Sequence, residues 1–342
     1  MHRSLPAIAA LALLSTTALA QQTSDTPSDL TVLPPISEEY QPALTPWGEP
    51  DFRGVWPIDH LNSRTPLERD PQYGERIFLS DAEFAEQAER VQTLGARREN
   101  EDSADQLGQG HWTELGSPNR RTSFIVSPAN GRLPAKTAEG ERRSDLMRSS
   151  WRQGQDFDIW TDFDSWDRCI TRGLPASMLP MMYNNGIRIF QAPGLVAIQL
   201  EMIHETRIIP TDGSAGVATA IDNLMGVSRG AWEDENTLVV TTDNFAPGPS
   251  ATNIVTTGSP PANDTPVSTE ARLVERFHMT GPDTIIYEMT WEDPVIFTAP
   301  WSVRLDWQRD DEYQFFEYAC HEGNVQIRNY ITASRAARAA GE

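Results

Sequence analysis

The chain has 342 residues, 28 Lys+Arg against 49 Asp+Glu, a formal charge of −21 and two cysteines. A negative surplus of that size repels phosphate backbones and anionic headgroups, so nucleic-acid binding and polybasic membrane docking are set aside. Hydrophobic residues at 39%, with ten Trp, twelve Phe and seven Tyr, are too many for a disordered chain and enough for a core.

Residues 1–20 carry a short basic start at Arg3, an apolar run from Leu5 to Leu14 and a small-x-small cleavage signal, Ala18-Leu19-Ala20. They are expected to be a signal peptide, with the mature protein exported to the periplasm or secreted. Residues 21–45 are rich in Pro, Ser and Thr without periodicity and read as a flexible leader. One domain is expected over 46–335, with a short C-terminal tail at 336–342. Within it, Ser80 to Arg98 predicts a helix: Ser80 and Glu83 form a capping box, and Phe84, Ala88, Val91 and Leu94 recur at spacings of three and four.

From Ile187 the hydrophobic period becomes two. Strands are expected at 187–192, 195–204, 205–209, 228–233, 237–245, 271–279, 283–291, 301–307 and 313–320, separated by turn signals such as Ala192-Pro193-Gly194 and Gly281-Pro282-Asp283. The fold class expected is mainly β: an antiparallel barrel of about eight strands, joined by the Val55-Trp56 strand, with the helical and irregular segment 60–186 packed around its mouth. The break at 247–270, dense in Pro, Gly, Ser and Thr, reads as a lid or an insertion. No glycine-rich phosphate loop and no G-x-S-x-G elbow occurs.

Four runs, SFIVSPANGRLP (123–134), DSWDRCITRGLP (164–175), MIHETRIIP (202–210) and YACHEGN (318–324), resemble a widespread family of uncharacterised exported bacterial proteins. The resemblance covers about residues 45–335 and implies no activity. Gly54-Val55-Trp56 is similar to the G-x-W opening of lipocalin-like barrels.

Export places Cys169 and Cys320 in an oxidising compartment, where a single stabilising disulfide is expected ahead of two free thiols or a metal pair. A bond between them brings their Cα atoms within about 7 Å. Asp167, Arg168 and Arg172 then approach His321, Glu322 and Asn324. Such a cluster is either an acid–base or anion-holding site, or a salt-bridge network that seats the last strand. His204 is expected on the apolar face of an extended 195–208, as a desolvated neutral base or a core histidine, with Glu205 as an outward partner of Arg207. Met178, Met181, Met182, Tyr183, Asn184 and Asn185, with Met202, are either a ligand-adapting wall or core. No histidine or cysteine spacing argues for a metal.

The function expected is a cofactor-independent exported enzyme, a lyase or isomerase, acting on a small, partly hydrophobic molecule, aromatic ones included. His204 or His321 would be the base, Asp167 or Glu322 its partner, and Arg168 or Arg172 with Tyr183 the holder of an oxyanion. The alternatives are a periplasmic lipocalin-like carrier of an apolar ligand and a hydrolase using paired carboxylates drawn from Asp162, Asp164, Asp167 and Glu322.

Overall fold

The computed structural model describes residues 27–62, 65–104, 113–152, 154–214, 221–249 and 265–341. The expected signal peptide lies outside the described residues, as does 250–264, the larger part of the 247–270 break. Among the described residues ten strands and three α-helices follow one another. Strands β1 (Gly54–Val55), β3 (Ile187–Ala192), β4 (Leu195–Leu200) and β5 (Thr206–Pro210) form a four-stranded sheet in the order β1-β3-β4-β5. The second sheet uses β2 (Ile125–Ser127), β6 (Val227–Trp232), β7 (Thr237–Asp243), β8 (Arg272–Gly281), β9 (Thr284–Glu292) and β10 (Trp301–Gln308). Its order is β2-β10-β9-β8-β7-β6.

Every pairing between these strands is antiparallel. Alternation puts one side of each strand inward: Val196, Ile198 and Leu200 on β4, and Ile285, Tyr287, Met289 and Trp291 on β9. Both sheets pack on one core, in which Tyr287 and Trp307 stack with ring centroids 4.9 Å apart. The mainly β class therefore stands, but no ladder joins the two sheets into a closed barrel among the described residues. The edges β5 and β6 lie side by side without pairing.

Gly54 opens β1 at φ +150°, where an added Cβ would meet Arg309 Nε at 3.0 Å. Trp56, just beyond, is fully buried and donates its indole N–H to Phe52 O at 3.0 Å. Residues 30–40 run along the β core. Leu30 O accepts from Ile77 N (2.7 Å), Pro34 O from Arg304 Nη1 (3.0 Å) and Tyr40 O from Asn236 Nδ2 (3.1 Å).

Helix α1 (Asp81–Ser103) starts at the capping box, with Ser80 N donating to Glu83 Oε2 at 2.8 Å. Helix α2 (Ala138–Leu146) is capped by Thr137, whose Oγ1 accepts from Gly140 N. Two expectations about individual strands fail. Residues 313–320 are not a strand; after β10 the chain crosses the protein as irregular backbone. It then enters α3 (Gln326–Ala340), which buries no residue of its own. The second failure concerns 195–208, whose extension stops at Leu200, where a 3-10 turn at Met202–His204 intervenes with Ile203 at φ 58°. That turn exchanges the faces of the strand after it. Arg207 and Ile209 become the inward residues of β5, Thr206 and Ile208 the outward ones, and His204 is exposed rather than apolar-faced.

Candidate functional site

Cys169 and Cys320 are bonded, with Cα atoms 5.7 Å apart. The bond joins the turn 164–170 to the irregular crossing segment and so sets two walls of an open cleft of about 420 Å³. Trp151, Trp166 and Asp167 line the cleft from the segment that carries Cys169; Glu317, Tyr318 and Cys320, with Asn324 and Gln326, line it from the segment that carries Cys320, and Tyr183 lines it as well.

The first wall is built by local hydrogen bonding. In the turn DSWD, Asp164 Oδ1 accepts from Asp167 N at 2.8 Å and Asp167 Oδ2 accepts from Asp164 N at 3.3 Å, a reciprocal cap. Asp167 Oδ2 also accepts from Ser150 N at 2.8 Å and from Ser149 Oγ at 3.5 Å, while Oδ1 takes Ser150 Oγ. Oδ2 is therefore crowded with donors and Oδ1 has one. Asp164 behind it is buried, and that burial, with the Asp167 charge beside it, pushes its carboxyl up to about 7.

Three buried side chains, Met181, Met202 and Ile203, form a small second core against which Trp166, Tyr183 and Tyr318 pack. Tyr183 and Tyr318 lie parallel within 3°, centroids 6.4 Å apart, and burial holds the Tyr183 phenol well above the ordinary range. Arg172, 3% exposed, sets its guanidinium 5.6 Å from the Trp166 ring centroid and within electrostatic reach of both phenols. Burial brings its pKa down to about 10, so it stays charged at neutral pH. Among the described residues no Lys, Arg or His lines the cleft.

The other expected site residues divide. Asn324 lines the cleft and donates Nδ2 to Cys169 Sγ at 3.4 Å. Arg168 turns away: its Nε donates to Asp164 O, and its guanidinium lies 5.2 Å from the Trp160 ring. Met178 is fully buried in the main core, and Met182 meets Glu114 N through its carbonyl. Asn184 donates to Glu201 Oε1, and the buried Asn185 pairs with both polar groups of the Met181 backbone. His204 Nδ1 faces Tyr318 O at 3.3 Å from an exposed position. His321 and Glu322 are exposed in the turn after Cys320 and are not cleft-lining residues.

Glu205 is not the partner of Arg207. It accepts from Thr171 Oγ1, and burial raises its carboxyl. Arg207 instead reaches across the core to Glu275, with Nη1 to Oε1 at 2.8 Å. Of the carboxylates considered for a paired mechanism, Asp162 is bridged to Arg148 at 2.9 Å, and Asp164 and Asp167 share one turn rather than facing each other.

Trp151, Trp166, Glu317, Tyr318 and Gln326 were not singled out as site residues by spacing, because an aromatic or amide at a wall leaves no periodic trace. For Trp166, Glu317, Tyr318 and Gln326 the available signal was nearness in sequence to the cysteines; for Trp151 there was none. A further residue of this kind is Glu201, buried, which holds the crossing segment in place by accepting from Phe316 N (2.9 Å) and the Tyr313 hydroxyl (2.8 Å). Among the described residues no three His, Cys, Asp or Glu side chains gather as metal ligands would, and no helix is long and apolar enough to cross a membrane. Set against family models, curated proteins and solved structures, the chain matches none.

Proposed function

We propose that the protein is an exported, cofactor-independent enzyme doing acid–base chemistry, of lyase or isomerase type, on a small, partly hydrophobic, ring-bearing molecule held in the cleft beside the disulfide. Membership in the exported bacterial family that the four motifs resemble belongs to the same proposal, as does a lipocalin-like origin of the two sheets.

The observation that carries the proposal is the position of Asp167: a carboxylate on the wall of an aromatic cleft, anchored through Oδ2 and with a single donor on Oδ1. An anchored carboxylate with spare acceptor capacity suits a general base better than either exposed histidine. Asp167 Oδ1 takes a proton from a carbon beside a carbonyl, and the electron pair moves onto the carbonyl oxygen. The Tyr183 hydroxyl donates to that oxygen, and the Arg172 charge behind the phenols favours the negative charge that develops. Where that carbon bears a hydroxyl, passage of the hydroxyl proton to the former carbonyl oxygen and return of the abstracted proton to the former carbonyl carbon complete an isomerisation; departure of a β-substituent with its bonding electron pair completes an elimination.

Purified protein screened against ring-bearing carbonyl and hydroxyl compounds, with product masses recorded, tests this. Turnover is expected to fall about 100-fold or more in Asp167→Asn and to persist in His204→Ala and His321→Ala. Undiminished turnover in Asp167→Asn, or loss in either histidine variant with the fold intact, overturns the assignment of the base.

A further inference from the structure

We propose that the ring the cleft takes belongs to a neutral saccharide, laid against Trp151 with its hydroxyls directed to Asp167, Glu317, Asn324 and Gln326. The inference deepens the acid–base reading and rests on it only for the choice of cleft.

Charge is the first constraint. Asp167 and Glu317, contributed by the two segments that the disulfide joins, repel an anionic ligand. A cationic ligand would seek the faces of the same rings. Trp166, however, already has the Arg172 guanidinium 5.6 Å from its centroid, and the phenols of Tyr183 and Tyr318 lie in the field of the same charge. A second cation placed there is repelled, so the two signs of charge around the cleft leave a neutral molecule as the best fit.

Hydrogen-bond stoichiometry is the second constraint. Carboxylates only accept, and the Asn324 and Gln326 amides accept as well as donate, so an occupant must bring several donors on a compact frame. An arene brings none and a phenol one. A sugar ring carries three or more hydroxyls around its rim and an apolar C–H face between them. That face needs a flat, accessible aromatic surface, and Trp151 supplies one: it is 46% exposed, and its backbone N–H is held by Ser149 Oγ, which also contacts Asp167. Because the cleft is open, outward hydroxyls keep their water, which an enclosed apolar pocket would strip away.

The test is a matched panel read by tryptophan fluorescence and ligand-observed NMR on the full mature chain: neutral methyl glycosides and disaccharides, the uronate and amino-sugar counterparts of the same rings, phenol, and tetramethylammonium. The expected result is that neutral saccharides bind at least fivefold more tightly than their uronates and no more weakly than their amino sugars, with little salt dependence. Trp151→Ala should weaken binding at least tenfold. Trp160→Ala, an exposed tryptophan outside the cleft, should leave it unchanged. Binding confined to tetramethylammonium or amino sugars and falling with salt overturns the proposal, as does binding of phenol with no neutral saccharide bound. A reducing disaccharide, which carries a free carbonyl form, that binds through Trp151 and is recovered unchanged defeats the acid–base reading alone. Turnover of a non-saccharide defeats the saccharide inference alone.

Discussion

Two clusters in this molecule use the same side-chain types to different ends. Between the sheets, Arg207 donates to both oxygens of Glu275, Tyr287 donates its hydroxyl to Glu275 Oε1 at 2.9 Å, and Ser228 and Thr242 lie beside the guanidinium. Arginine and carboxylate are 2% and 0% exposed and neutralise each other directly. At the cleft, an arginine, a carboxylate, a tyrosine and two hydroxyl side chains recur as Arg172, Asp167, Tyr183, Ser149 and Ser150. Here the guanidinium faces the Trp166 ring, while the carboxylate stands on a wall that solvent reaches. A closed ion pair in the core has no spare valence for a ligand. A carboxylate held by serine and backbone donors on a cleft wall keeps acceptor capacity toward solvent.

The largest expected effect falls on the link that makes the cleft. The double variant Cys169→Ser, Cys320→Ser should lose about 4 to 5 kcal/mol in the chain-entropy model. Its near-ultraviolet signal from the cleft rings should weaken while the β-sheet signal stays. Loss of both together would mean that the cleft and the sheets are one cooperative unit.

In the core cluster, Glu275→Ala should cost about 3–5 kcal/mol by urea unfolding, because it leaves Arg207 buried without its carboxylate. The apolar pair Arg207→Met with Glu275→Leu should recover most of that loss. A cost below about 1 kcal/mol would show that water reaches the pair and that the core cluster is less closed than its contacts indicate.

A smaller effect separates the clusters by pH. Asp164 binds its proton more tightly folded than unfolded, since its pKa rises from 3.8 to about 7. Its contribution to stability is full below about 3.8 and is lost as pH rises through about 7, with a slope of at most about 1.4 kcal/mol per pH unit. Asp164→Asn keeps the acceptor for Asp167 N and should flatten that part of the stability profile relative to the parent protein. An unchanged profile would remove the coupling of Asp164 to Asp167. The smallest effect is His204→Ala, expected to change stability by no more than about 0.5 kcal/mol, as for an exposed side chain. A loss of several kcal/mol would make His204 part of the support for Tyr318.

Much of the β architecture was legible because strands speak through local alternation and turn residues, and β3, β4 and β6 to β10 obey both. The helix from Asp81 was legible through Ser80 and Glu83. Barrel closure was not, because it depends on whether β5 pairs with β6 and β1 with β2, and edge pairing leaves no mark in a strand's own sequence. Alternation also runs unbroken through Met202, His204 and Thr206, so nothing local announces the 3-10 turn that reverses the face of Arg207. The partner of Arg207 is then found 68 residues away in Glu275. Helix α3 was missed because its apolar stripe is short, Ile327, Tyr330 and Ile331 followed by Ala and Arg, and none of its residues is fully buried. It is held instead by Tyr330 against Phe157 and Phe163 and by Arg338 on Asp158. For the cleft, the cysteine pair alone brought Asp167 to the right neighbourhood, and which aromatics stood around it required the third dimension.

The central claim is that Asp167, and not an imidazole or the Arg207–Glu275 pair, is the working group of this protein. Turnover per folded molecule, measured side by side on Asp167→Asn, His204→Ala and His321→Ala with the first compound found to be converted, tests it most directly. The account predicts a fall of about 100-fold or more in the first and near-parental rates in the other two; parental turnover in Asp167→Asn would contradict it.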